Sequence, residues 1–147
     1  MNDPGIIRIY FIKKSQAALP VYFFPGEVAD ISGGLSGELT ALDFEPGTVN
    51  MTQETEETPA GKQIVTHVSF VVSGINPSIH EILSGLAAEP HVFILEDMEG
   101  QYQLCGTNTY RAKFNYKLNH NTPPKSVKSY TATIDWISLQ GLVFCSV

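Results

Sequence analysis

The sequence predicts a mainly β protein of the α+β class, in which one helix packs on antiparallel strands. Apolar and polar residues alternate with period two in several segments, proline and glycine separate these segments, and one segment alone carries a helical stripe. Many short antiparallel strands are typical of a β-sandwich or a partly closed barrel, and the pattern leaves both open. The length of 147 residues fits a single domain spanning 1–147.

The N-terminal part predicts four strands and two loops. Ile6–Lys13 is apolar almost throughout, whereas residues 27–37 contain three glycines and are typical of a loop. Residues 54–61 hold three glutamates and end in Pro-Ala-Gly, which indicates a solvated hairpin tip or a mobile loop. The other predicted strands are residues 19–24, 39–44 and 48–54.

The predicted helix covers about residues 77–89. Asn76 is a candidate N-cap, Pro77 suits the first helical position, and Pro90 prevents continuation. Four apolar residues at i, i+3, i+4 and i+7 form one stripe, so one side of the helix should pack on the sheet. These residues are Ile79, Ile82, Leu83 and Leu86.

Six further strands are predicted around and after the helix. Their alternation is clearest at residues 111–119, where apolar side chains face one way and Arg111, Lys113 and Lys117 face the other. The strands are residues 67–72, 91–96, 101–105, 111–119 and 129–139, with a last one at 142–147 that ends the chain.

Charge is divided unequally along the chain. Residues 1–99 contain fourteen acids and four bases, whereas residues 100–147 contain one acid and five bases. A molecule with an acidic and a basic part can bind copies of itself head to tail. A solvated strand face is the alternative, because charge runs are often only that. The candidate interface residues are Arg111, Lys113, Lys117, Lys125 and Lys128, opposed by Glu54, Glu56 and Glu57.

No pattern in the sequence indicates catalysis. The four histidines lie far apart without a ligand spacing typical of zinc, and Glu96, Asp97 and Glu99 fit a hairpin turn better than an acid–base pair. Cys105 and Cys145 lie in apolar runs and are expected to be buried free thiols. We therefore expect no enzyme activity, no metal and no cofactor.

The partners that we expect are proteins. The chain is acidic, with a formal charge of −6, and its basic strand face has no interleaved aromatic residue, so direct nucleic-acid binding is not expected. The apolar run Ile6–Ile12 is short, is interrupted by Arg8 and is followed by Lys13-Lys14, so it does not fit a secretory signal. We also expect no membrane association, since no run has the length of a membrane span.

Residues 64–147 resemble small phage and prophage tail structural proteins of the tail-tube and tail-terminator types. The resemblance lies in an order of elements: strand 67–72, helix 76–89, strand 91–96, the turn Asp97-Met98-Glu99-Gly100, strand 101–105, and the β-rich end 129–147. It implies a subunit without catalytic residues that assembles into rings and contacts other virion proteins. Such a subunit would be cytoplasmic during assembly and then part of the virion.

The sequence thus predicts a non-enzymatic assembly subunit that self-associates. The alternative is a β-sandwich module that binds a sugar or peptide through exposed aromatic side chains. An exposed Trp136 would favour that module, although most aromatic residues occupy the apolar phase of a strand, where core residues belong. The candidate aromatic residues are Tyr10, Tyr22, Phe24, Tyr102, Tyr110, Tyr130 and Trp136.

Overall fold

The computed structural model describes residues 5–19, 28–45, 47–59, 61–73, 77–107, 111–120, 128–138 and 143–146. They form ten strands, one α-helix and two short 3-10 helices. The strands are β1 (Ile6–Lys13), β2 (Ala29–Asp30), β3 (Thr40–Leu42), β4 (Asn50–Thr58), β5 (Gly61–Ser73), β6 (His91–Asp97), β7 (Tyr102–Cys105), β8 (Ala112–His120), β9 (Lys128–Ser138) and β10 (Val143–Ser146). The helix is α1 (Pro77–Ala88), and the 3-10 helices are Lys14–Gln16 and Ser32–Gly34.

All ten strands belong to one mixed sheet that is not closed into a barrel. Its main path runs β2-β10-β7-β6-β8-β9-β5-β4, and β1 joins it by pairing with β6 and with β3. Every pair of strands is antiparallel except β10 with β2. The mainly β fold with one helix is therefore confirmed, and the arrangement is sandwich-like.

Strand β6 is the centre of the sheet, and all seven of its residues are buried. It pairs with β1 along one side, from Ile6–Asp97 to Lys13–His91. On the other side Phe93–Glu96 pairs with β7, whereas His91 pairs with Ala112 of β8. The sheet thus divides at β6 into a six-stranded part (β3, β1, β6, β7, β10, β2) and a four-stranded part (β8, β9, β5, β4).

Alternation in the four-stranded part separates a buried inner face from an exposed outer face. Val68 of β5 lies opposite Ile134 of β9, which lies opposite Phe114 of β8, and all three side chains are buried. Their sequence neighbours point the other way, because successive side chains of a strand alternate between faces. Leu83 and Leu86 of α1 are buried in the same apolar core.

Helix α1 lies where the two parts of the sheet meet. Its residues line cavities shared with β1 and β3 of the six-stranded part and with β8 of the four-stranded part. The ring of His80 contacts the rings of Tyr116 and Tyr130, with centroids 6.2 and 6.4 Å away. Ser84 Oγ lies 3.1 Å from the Tyr116 hydroxyl, so the polar side of the helix is also tied to the sheet.

Most predicted elements are confirmed. For the acidic segment 54–61 the hairpin alternative is confirmed and the mobile loop is wrong, because residues 54–58 and Gly61 lie in the paired ends of β4 and β5. The expected strand 67–72 is the C-terminal half of β5, which begins at Gly61. The predicted loop 27–37 includes β2 and a 3-10 helix, and most of the predicted strand 19–24 lies outside the described residues.

Candidate functional site

The outer face of the four-stranded part carries the charged residues that the sequence singles out. The register places Thr52, His67, Asp135 and Lys113 in one row across β4, β5, β9 and β8. His67 Nδ1 is hydrogen-bonded to Asp135 Oδ1 at the centre of this row. The sheet is antiparallel throughout this part, so residues in register share a face.

The acidic residues lie at the β4 edge of this face. Glu54 pairs with Val65 and Glu56 with Gln63, whose Nε2 donates a hydrogen bond of 3.1 Å to Glu56 Oε2. The Glu57 side chain points to the inner face of β4, where its carboxylate lies 4.0 Å from the Lys62 ammonium. Glu54 and Glu56 therefore belong to the outer face, whereas Glu57 does not.

The basic residues lie at the opposite edge, on β8. Lys113 and Lys117 are exposed and stand opposite Asp135 and Thr131 of β9. Arg111, also exposed, immediately precedes β8 and is in phase with these lysines. Lys128, the first residue of β9, stands opposite His120, and its side chain is outside the described part of the structure. Lys125 lies wholly outside the described residues.

The glutamates on the outer face of β4 and the lysines on the outer face of β8 do not meet within one subunit. Two strands, β5 and β9, lie between β4 and β8, which places the two edges about 14 Å apart at ordinary strand spacing. This distance exceeds the screening length of about 8 Å at physiological salt. The outer face is consequently acidic along one edge and basic along the other.

Both edges of the four-stranded part are open over most of their length. Among the described residues, β4 pairs with β5 alone, and β8 pairs with β9 on one side and with β6 at Ala112 only. An unpaired strand edge presents backbone N–H and C=O groups that another strand can bind. Sequence patterns contain no direct signal for this feature, since strand order depends on pairing between distant segments.

The Glu96, Asp97 and Glu99 group forms a turn, as predicted, but with one correction. Asp97 Oδ1 accepts hydrogen bonds of 2.9 Å from the backbone N–H groups of Glu99 and Gln101, which closes the hairpin between β6 and β7. Glu96, expected to point into water, is 8% exposed. Its carboxylate accepts hydrogen bonds from Arg8 (3.4 Å) and Tyr10 (3.2 Å).

The cysteines are buried free thiols, as predicted. Burial raises the pKa of Cys105 to about 12 and that of Cys145 to about 11. At neutral pH both thiols are therefore protonated and poorly nucleophilic. Within the described ranges, no three histidine, cysteine, aspartate or glutamate side chains are grouped closely enough to hold a metal ion.

The candidate aromatic residues that the structure describes lie in the core or pack against it. Trp136 is 2% exposed and Tyr130 is 3% exposed. Tyr10 and Tyr102 are half-buried against the same core. The remaining candidates, Tyr22, Phe24 and Tyr110, fall outside the residues that the structure describes.

Comparison with known proteins adds no family to this description. No protein-family model, curated protein or solved structure matches the chain. Within the described residues, no helix combines the length and the apolar character that are needed to cross a bilayer. The functional argument therefore rests on the geometry of the sheet and its edges.

Proposed function

We propose that this protein is a non-enzymatic structural subunit that self-associates into rings by joining the β4 edge of one copy to the β8 edge of the next. Such a subunit would be a component of a phage or prophage tail. It would assemble in the cytoplasm and then form part of the virion. The supporting observation is that one four-stranded unit has two open edges of opposite charge.

Strand direction favours this head-to-tail arrangement. The four strands alternate in direction, so β4 and β8 of one subunit are antiparallel to each other. A second copy in the same orientation would place its β4 antiparallel to β8 of the first, and the sheet would continue without a break. Repetition of one such heterologous contact closes into a ring when the rotation between subunits allows it.

Charge favours a particular register for this contact. Directly opposite residues of an antiparallel pair lie on the same face. If Glu54 of one copy stands opposite Lys117 of the next, Glu56 stands opposite Asn115 and diagonal to both Lys113 and Lys117. In this register β4 ends at Thr58, opposite Lys113, so Ala112 keeps its pairing with His91 of β6. Like charges do not oppose each other, since Lys113 and Asn119 would face Thr58 and Thr52.

The charges and the apolar contacts have different roles in this proposal. An exposed ion pair contributes about 0.2–1 kcal/mol, so these charges set the register and the encounter rate more than the affinity. Backbone pairing and burial of apolar side chains near the edges supply the rest. Leu118 of β8 is 49% exposed and Ile137 of β9 is 47% exposed, so both offer surface that a neighbouring copy would cover.

A charge exchange tests the proposal. Light scattering coupled to size-exclusion chromatography should show an oligomer whose population falls as salt is raised. The variant Glu54→Lys/Glu56→Lys and the variant Lys113→Glu/Lys117→Glu should each be monomeric at concentrations where the parent protein assembles. Mixing the two variants should restore a contact, because the acidic edge of one then meets the basic edge of the other.

The control is a charge reversal away from both edges. Glu99→Lys lies in the exposed β6–β7 turn and should leave the oligomer unchanged. A parent protein that stays monomeric at all salt concentrations would refute the proposal. It would also be refuted if Glu99→Lys disrupted assembly as strongly as the edge variants do.

A further inference from the structure

Helix α1 presents an apolar ridge between two cavities. Ile82, expected from its place in the apolar stripe to pack on the sheet, is instead 45% exposed and lines both. The first cavity, about 350 Å³, lies between α1, β3 and the end of β5. The second, about 280 Å³, lies between α1 and β1. A partner placed on Ile82 could therefore insert side chains on both sides of the helix.

The floors of the cavities are apolar. Leu42, Val72 and Leu83 line the first cavity, and all three are buried core residues. Phe11 and Leu86 line the second. Cavities of this size with apolar floors are typical of sites that bind aliphatic or aromatic groups.

The rims of the cavities are acidic. Asp43 and Glu45 line the first, and Glu81 and Glu89 line the second. Lys13 is the one basic residue among the described lining residues of the two cavities, and its ammonium lies 3.9 Å from the Glu89 carboxylate. The rim therefore has an excess of three negative charges around an apolar ridge.

Hydrogen bonds hold the rim of the first cavity in place. Ser73 Oγ donates to Glu45 Oε2 at 3.0 Å, and the backbone N–H of Glu45 donates to the carbonyl of Val71 at 2.8 Å. Thr48 Oγ1 donates to the Glu45 carbonyl at 2.6 Å and accepts from the Val71 N–H at 3.1 Å. These bonds fix the backbone at Glu45, so a ligand would find this side of the cavity already formed.

Gly85 lies one turn after Ile82 on the same side of the helix. A Cβ at this position would have no atom within 4 Å apart from the neighbouring backbone of the helix itself. Glycine inside a helix is less favourable than alanine by about 1 kcal/mol, and packing within the monomer gives no reason for it here. A missing side chain beside an exposed isoleucine allows the backbone of another molecule to approach the helix closely.

We propose that this α1 surface, comprising Ile82, Gly85, Asp43, Glu45 and Glu81, binds a basic amphipathic segment of another protein. The apolar side chains of the segment would enter the two cavities, and its lysine or arginine side chains would meet the acidic rim. The helix of a second copy is a poor occupant, since α1 is itself acidic. The proposal is independent of self-association, because this surface includes neither β4 nor β8.

The test uses a short fluorescein-labelled peptide with leucines on one helical face and lysines on the other. Fluorescence anisotropy should show saturable binding to the parent protein, and a sibling peptide with glutamate in place of lysine should not bind. Ile82→Lys and Gly85→Gln should each weaken binding about tenfold or more, the scale of a central interface contact. Asp43→Lys/Glu45→Lys should weaken it to a similar extent.

Matched variants distinguish peptide binding at this surface from a general electrostatic attraction to an acidic protein. Glu38→Lys/Glu99→Lys, at two exposed positions outside both cavities and both sheet edges, changes the net charge as much as Asp43→Lys/Glu45→Lys and should leave peptide affinity within about twofold. Thermal unfolding checks that each variant is folded. The proposal would be overturned if the glutamate peptide bound as tightly as the lysine peptide. It would also be overturned if the two charge-reversal variants lost peptide affinity equally, or if Ile82→Lys and Gly85→Gln were folded and kept the parent affinity. If self-association failed its own test, this result would be unaffected.

Discussion

His67 of β5 and Asp135 of β9 are hydrogen-bonded across the outer face, midway between the acidic β4 edge and the basic β8 edge. Lys113 stands opposite Asp135 on the next strand, so the carboxylate lies between two basic side chains. The His67 side chain is 46% exposed and that of Asp135 is 38% exposed. Solvent therefore screens the pair despite its central position.

We expect Asp135→Asn to lower the free energy of unfolding by less than about 1 kcal/mol, because an exposed ion pair contributes little. Urea denaturation followed by circular dichroism measures this difference. His67→Gln is the companion variant and should have an effect of similar size. A loss of several kcal/mol from either variant would contradict the screened environment described above.

Glu96 should be far more sensitive to substitution than its neighbour Glu99. Glu96 is buried and accepts hydrogen bonds from Arg8 and Tyr10, whereas Glu99 is exposed in the turn. Glu96→Ala leaves the half-buried Tyr10 hydroxyl without its acceptor and should cost about 1–3 kcal/mol. Glu99→Ala should change the stability by less than about 0.5 kcal/mol. Urea denaturation of both variants would disprove this account if the two losses were equal.

The buried thiols should make the protein resistant to alkylation. Iodoacetamide reacts with thiolates, and the pKa values of about 12 for Cys105 and about 11 for Cys145 keep both thiols protonated at pH 8. After treatment with iodoacetamide, mass spectrometry should therefore find no modification of the native protein. The protein unfolded in urea should be modified at both cysteines. Rapid modification of either cysteine in the native state would show that burial does not protect it.

The same two thiols predict a loss of stability in alkali. In the unfolded chain a cysteine ionises near its ordinary pKa of about 8.5, whereas the folded protein retains both protons until pH 11–12. Their stabilising contribution is complete below pH 8.5 and is lost as the pH rises through the folded pKa values. The urea midpoint of the parent protein should fall more steeply between pH 8 and pH 10 than that of Cys105→Ala/Cys145→Ala. If the urea midpoints of the two proteins fell in parallel as the pH rises, ionisation of the thiols would not be the cause.

Replacing Gly85 by alanine should stabilise the monomer. Nothing lies within 4 Å of the added Cβ, and alanine favours the helix, so the free energy of unfolding should rise by about 0.5–1 kcal/mol. Gly100→Ala is the contrasting variant, since Gly100 has a φ of +81° in the β6–β7 turn and should lose stability on substitution. A destabilised Gly85→Ala protein would mean that the helix is already covered in the monomer.

The elements of this fold are predictable where one side of a strand faces the core. Strand β8 alternates between buried Phe114 and exposed Lys113, and its prediction is accurate to about one residue at each end. The C-terminal half of β4 has no such pattern, because its exposed glutamates and threonines occupy both faces. Its strand conformation depends on hydrogen bonds to β5, which a local sequence pattern does not encode.

The candidate site is less predictable than the elements that carry it. Alternation identifies Lys113 and Lys117 as one exposed face, but it does not reveal that two strands separate them from Glu54. Burial of Glu96 is equally hidden, since it arises because β1 and β7 flank β6 on both sides. Strand order is a property of long-range pairing, and the edges, cavities and partners of a sheet follow from it.

In the described structure, the pair His91–Ala112 is the sole strand pairing that joins the four-stranded part to the six-stranded part. Side chains must therefore hold the two parts together, and the rings of Phe93 of β6 and Phe114 of β8 stack across the junction with centroids 5.9 Å apart. Ser84 of α1 and Tyr116 of β8 add a polar contact at the same place. The angle between the two parts is thus determined by core packing, so a substitution at Phe93 or Phe114 would reorient the outer strands without breaking a strand ladder.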